Sequence, residues 1–266
     1  MMINEVIRNE ILKVSQVSGY LWQRGWAERN AGNISLDLSG LAEVDGRDLS
    51  TKRYVTHRLP VNAAGKLIFI TGTGERLREL VDKPEKTACI IRIDDEAKGY
   101  HIVSGGEGNN MFRPTMEFIS HLSIHLYNEK VGNGHRCVLH THPIELIAIS
   151  HHPFLGHDEQ ALNKAIWSML PEARVFIPRG ISIAPYEITG SEALANVTII
   201  GLKSRDVVLW SKHGALTTGR DAQEAFDFMD VANKGVLIYL KCLQAGFTPE
   251  GLSEEEIKDL ETLFNL

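Results

Sequence analysis

The segment VLHTHPIELIAIS, residues 138–150, sets His140 and His142 two positions apart inside an apolar run. On an extended strand, residues two apart leave the same face, so these imidazoles would stand side by side and could share one cation at Zn–N distances of ~2.0–2.1 Å. His213 offers a third donor, beside Gly214 where the apolar run DVVLW ends. Three neutral imidazoles leave a coordination position open, which suits a catalytic ion rather than a structural one. A second cluster competes for that role. His121 and His125 are spaced i,i+4 and Glu117 lies one turn before them, so these three could form a ligand stripe on a helix. The plainer alternative is a polar helix face whose rings bond to their neighbours, with Glu117 offsetting the positive end of the helix dipole. His151, His152 and His157 share a loop with Pro153 and Gly156 and read as solvated surface residues.

The elements that must hold these residues follow from hydrophobic period. Ile7, Ile11, Val14 and Leu21 predict an amphipathic helix over 4–24, ending at Arg24-Gly25. NISLDL alternates Ile34, Leu36 and Leu38 with polar residues, as a half-buried strand does, and LIFITGTG is an apolar strand that delivers a glycine turn. ACIIRI, YHIV, RCVLHTH, RVFI, ISIAP and DVVLW read as further strands, with Leu146 to Ile149 continuing the run after His142. Pro114 occupies the first-turn position of a helix, PTMEFISHLSIHLYNE. Helical patterns also cover 158–170, 191–203, 221–245 and 253–264, whereas about 39–66 is polar and irregular. Intermingled strands and helices define an α/β class.

Composition limits the partners. A chain of 266 residues with 43% hydrophobic residues can bury a large core as one domain, 1–266. Lys and Arg number 28 against 34 Asp and Glu, a net charge of -6 with no basic block, which argues against nucleic acid and against a polybasic membrane contact. No apolar run approaches the ~20 residues that span a bilayer. Glu5, Arg8 and Glu10 interrupt the N-terminal apolar residues, unlike a secretion signal. Cys89, Cys137 and Cys242 are odd in number and lie in no C-x-x-C spacing, so a reducing, cytoplasmic setting is expected.

Five segments occur in one order: GWAERNAGNISL, FITGTG, RPTMEFISHLSIH, VLHTHPIELIAIS and VVLWSKHGALTTG. Together they resemble the class II, zinc-dependent sugar-phosphate aldolases of the aldolase/adducin family, from the first helix to about residue 245. The resemblance implies a three-layer αβα fold around a central, mostly antiparallel sheet, assembled as a homotetramer. It implies one Zn²⁺ per subunit on His140, His142 and His213, with Glu117 as catalytic acid/base, acting on a small ketose 1-phosphate. Cleaving the C3–C4 bond of such a sugar leaves a carbanion at C3, tolerable only if its charge passes to the C2 carbonyl oxygen, and a metal Lewis acid can draw it there. Asn30 and Asn33 around Gly32, with Thr73 and Gly74, supply amides, a hydroxyl and backbone N–H groups for the phosphate. The family's next phosphate contact is a Thr-Ser pair before the glutamate; here it is Thr115-Met116, and the serine is absent. Glu172 matches an acidic residue that reaches the leaving aldehyde from a neighbouring subunit. Alternatives inside the family are a different ketose 1-phosphate and a 4-epimerase that cleaves and rejoins its sugar; an alternative from another class is a metal-free adducin-like scaffold that keeps the fold for protein binding.

Overall fold

A computed structural model describes residues 4–42 and 49–266. Residues 43–48, part of the irregular stretch expected over 39–66, lie outside the described residues. The chain divides into two compact units: Met1–Thr141 with Ile188–Ala195 and Thr218–Ala225, and His142–Glu187 with Asn196–Thr217 and Phe226–Leu266.

In the first unit, α1 (Glu5–Gln23) starts where the Asn4 side chain accepts from Ile7 N–H and stops at Arg24, with Gly25 at φ 74°. The strands are β1 (Asn33–Asp37), β2 (Arg53–Thr56), β3 (Leu67–Thr71), β4 (Ala88–Ile93), β5 (Gly99–Gly105) and β6 (Cys137–Thr141). They pair in the order β2-β5-β4-β3-β1-β6, every pair antiparallel. Two short helices, α2 (Leu77–Leu80) and α3 (Pro84–Thr87), separate β3 from β4.

The helix α4 (Phe118–Val131) is buried on nearly every side, and two stripes explain it. Phe118, Leu122 and Leu126 pack on Ile68, Ile70 and Ile91, each apolar side chain contributing roughly 1.5–3 kcal/mol. Glu117, His121 and His125 instead face the polar residues of β1. The strand is therefore buried at Asn33, Ile34, Ser35 and Leu36 alike, not half-buried as its alternation suggested. Pro114 does not open α4. It bridges Gly72, while Thr115 N–H donates to the Thr71 carbonyl, so 113–115 lies extended along the end of β3 and Glu117 takes the N-cap position. Gly132, at φ 67°, ends the helix by returning its N–H to Asn128 and Glu129.

In the second unit, Leu146–Ile149 is helical, not strand: α5 (Ile144–Ile149) follows Pro143, and its exposed first turn is satisfied when Leu146 N–H donates to Asn233 Oδ1. RVFI is likewise part of a helix. After α6 (Glu159–Met169), α7 (Pro171–Phe176) has proline in its first turn, and Arg174 stacks over Trp167, donates to Glu261 and reaches the Pro178 carbonyl. β7 (Ile181–Ala184) and β8 (Val207–Trp210) pair in parallel, the one parallel pair among the described registers, with α8 (Glu192–Leu202) in their connection. β8 then turns into β9 (Gly214–Gly219), a strand the pattern missed, antiparallel to it. The sheet order is completed as β6-β9-β8-β7, giving nine strands, mostly antiparallel as expected. The helices α9 (Ala222–Gln244) and α10 (Glu254–Phe264) follow, the latter opened by a reciprocal Ser253–Glu256 cap.

Candidate metal centre and acid/base site

β1 and β6 place Asn33 directly opposite His140, so both project from one face. That face also carries Ser35 and looks onto α4. The approach is close at Gly32, whose φ is 78° and where an added Cβ would lie 3.0 Å from Leu77 and 3.1 Å from the His140 carbonyl oxygen. Glu117 is 2% exposed, its Oε2 accepting from Asn33 Nδ2 at 2.9 Å and lying 3.9 Å from His140 Nε2. Burial pushes its carboxyl up to about 7, partly opposed by the Asn33 bond.

His142 follows β6 immediately and is half-buried. His213 sits in the three-residue turn Ser211-Lys212-His213 between β8 and β9, where Lys212 adopts φ 64° and anchors its N–H on Ser150 Oγ at 2.8 Å. Its ring is 5.3 Å from that of His142 and 5.2 Å from Trp210. Burial, with His142 alongside, holds the His213 imidazole down to about 4, so it is neutral at pH 7 and its lone pair is available. Ligand atoms of His140, His142 and His213 all lie within 4.8 Å of one another. Three imidazole nitrogen donors this close together fit a borderline-soft divalent ion.

Among the phosphate candidates, bonds gather Thr73, Thr115 and Asn33 at the end of β3. Thr73 Oγ1 donates to the Pro114 carbonyl, Thr115 Oγ1 accepts from Glu117 N–H, and Ile34 N–H donates to Thr71 Oγ1. Asn30 and Gly74 are exposed on the adjoining loops, and Met116 is 70% exposed. Glu172 is exposed in the first turn of α7. The competing stripe forms no ligand set: His121 and His125 are engaged by Ser35 and Asn33. His152, expected to be merely solvated, is half-buried and accepts from Phe154 and Leu155 N–H groups. Ser35 was the functional candidate missed by sequence, because a strand serine carries no signal until its helix partner is known.

The model of the class II aldolase and adducin N-terminal domain matches residues 13–240, and the chain belongs to this family. It is 39% identical over 264 residues to the rhamnulose-1-phosphate aldolase of Bacteroides thetaiotaomicron, covering 98% of this chain and 96% of the relative. It is 30% identical to the enzyme of the same name from Mannheimia succiniciproducens, over 92% and 90% of the two chains. A sugar-phosphate aldolase structure from Thermotoga maritima superposes with a TM-score of 0.77 at 30% identity, covering 92% of this chain and 99% of that one.

Proposed function

We propose that this chain is a zinc-dependent lyase that reversibly cleaves L-rhamnulose 1-phosphate to dihydroxyacetone phosphate and L-lactaldehyde, in the breakdown of L-rhamnose. The observation that carries this reading is the convergence of His140, His142 and His213, with the buried Glu117 carboxylate 3.9 Å from His140. Full-length likeness to two relatives of that name supports the substrate.

His140, His142 and His213 hold the ion, which when bound supplies a Lewis acid for the C2 carbonyl oxygen. As the C3–C4 bond breaks, the C4 hydroxyl gives up its proton and becomes the aldehyde carbonyl, and C3 takes a proton. Glu117 delivers the proton to C3, and removes it in synthesis; a carboxyl raised toward 7 can both hold and release one at neutral pH. Asn30, Asn33, Thr73, Gly74 and Thr115 bind the phosphate. Asn33 can do so with the second hydrogen of its amide, since the first is donated to Glu117. Met116 leaves that pocket one donor short of the family pattern. Glu172 serves the aldehyde end of a neighbouring subunit in a homotetramer, and residues 1–266 act as a single catalytic domain. Three free cysteines support a cytoplasmic setting, and no described helix is long and apolar enough to cross a membrane.

Zinc-loaded protein offered L-rhamnulose 1-phosphate, L-fuculose 1-phosphate and L-ribulose 5-phosphate separately tests the assignment, with triose phosphate followed by a coupled reductase. The first should have the highest kcat/KM. Release from fuculose 1-phosphate alone moves the chain within the aldolases, epimerised ribulose 5-phosphate makes it an epimerase, and inertness toward all three supports a scaffold.

A further inference from the structure

His121 and His125 have no part in that reading, yet they are 0% and 2% exposed, and buried polar rings demand partners. Four hydrogen bonds run from them to the catalytic carboxylate. Ser35 Oγ lies 2.7 Å from both His125 Nε2 and His121 Nδ1. His121 Nε2 lies 2.5 Å from Asn33 Oδ1, and Asn33 Nδ2 is 2.9 Å from Glu117 Oε2.

Hydrogen counting gives this chain a direction. An ionised carboxylate only accepts, so Asn33 turns its NH₂ toward Glu117 and its carbonyl toward His121. That carbonyl needs a donor, which puts the His121 hydrogen on Nε2 and leaves Nδ1 bare. Ser35 must then donate its single hydrogen to Nδ1, and its oxygen accepts from His125 Nε2–H. The count ends with His125 Nδ1 carrying no hydrogen, and that buried atom has no hydrogen-bond partner among the described residues. Reversing the chain would place an N–H there, an orphaned buried donor of the kind folded proteins avoid. Burial also holds the two imidazoles down to about 3 and 4, so each has one ring hydrogen to assign.

We propose that Ser35, His121 and His125 are positioning residues that act through Asn33 to hold Glu117 Oε2 as a fixed acceptor, so that the proton exchanged with substrate travels on Oε1. This rests on the acid/base reading of Glu117. It assigns Asn33 a second task besides phosphate binding and gives the helix histidines a task other than metal ligation.

Two measurements test it. In ¹⁵N-histidine-labelled protein, His121 and His125 should both be neutral Nε2–H tautomers at pH 7; an Nδ1–H tautomer or an imidazolium at either position overturns the proposed direction. In kinetics, His121→Leu should keep its metal and a KM within about twofold while kcat falls about 10–100-fold, the scale of a small misplacement of a reacting group. His121→Gln, which keeps an N–H toward Asn33 and an acceptor toward Ser35, should recover most of that loss. Unchanged kcat in His121→Leu, or no recovery in folded His121→Gln, overturns the positioning role. If His121→Leu does not fold, Ser35→Ala takes its place with the same expected split between kcat and KM. Glu117→Gln separates the two readings: full activity there defeats the acid/base assignment, whereas an inactive Glu117→Gln beside a fully active His121→Leu defeats the positioning network alone.

Discussion

Two pairs of histidines in this chain start from comparable credentials and end in different surroundings. His121 and His125 are one helical turn apart; His142 and His213 come from the end of one strand and the turn between two others. The helix pair meets Ser35 and Asn33 across the sheet, and both rings are locked into hydrogen bonds. The other pair is half-buried, and its possible ligand atoms lie within 4.8 Å of each other and of His140's. Spacing establishes that imidazoles can meet. What stands opposite decides how each ring is satisfied, because a buried polar ring must be met by whichever partner is there.

His213→Ala should break that contrast most severely. With one of three nitrogen donors gone, bound zinc and turnover should both fall to background, with the circular dichroism spectrum unchanged; elemental analysis finding one zinc per chain in this variant would shift the metal to His121 and His125. Glu117→Gln should keep its zinc and slow turnover by ~10²–10⁴-fold, and a loss of less than a few fold would return Glu117 to a structural role. Ser35→Ala sharpens the comparison from the other side, since it strips partners from two buried rings and should lower stability by about 1–3 kcal/mol in urea titrations.

Acid should also act through the helix pair. Both imidazoles titrate lower in the folded chain, about 3 and 4, than the ordinary 6.5 they regain on unfolding. The unfolded state therefore binds more protons, and the stability these residues contribute is complete above pH 6.5 and falls as pH drops toward 4. The urea midpoint should decline over that window in metal-free protein, and a flat midpoint would mean that the rings are not buried neutral. The smallest effect belongs to the turn before His213. Lys212 holds a left-handed conformation that suits glycine, so Lys212→Gly should raise stability by about 0.5–1 kcal/mol, read as an increased Tm. A decrease would mean that the lysine side chain contributes more than its backbone costs.

The H-x-H pair and His213 stand out as candidate donors because each sits in a short local motif, whereas Glu117 by its own position reads as a helix-start carboxylate and becomes an acid/base candidate only through the family resemblance. Five of the six strands of the first unit and the long helices are legible from their periods; the sixth, β2, lies in the polar stretch over 39–66 that reads as irregular. The reading failed where a few residues carried ambiguous patterns. IELIAI and RVFI are as apolar as strands, but a preceding proline and a capping or stacking partner made them helical: Asn233 for the first, Trp167 and Glu261 for the second. The GALTTG strand hid behind its small residues, and Pro114 imitated a helix start while bridging Gly72. The Ser35 network was invisible for another reason. Its members lie 84 to 90 positions apart, and only the β1 register brings them together.

That register has a consequence for how the chain reaches its native state. Asn33 and Ser35 share one face of β1, with Ile34 and Leu36 on the other, and β1 is held between β3 and β6. A slip of one residue would turn the aliphatic pair toward His121, His125 and Glu117 and bury all three against hydrocarbon. The misaligned strand would lose its polar partners and the buried packing of Ile34 and Leu36 together, so the bonds around Glu117 and the aliphatic core select one and the same register.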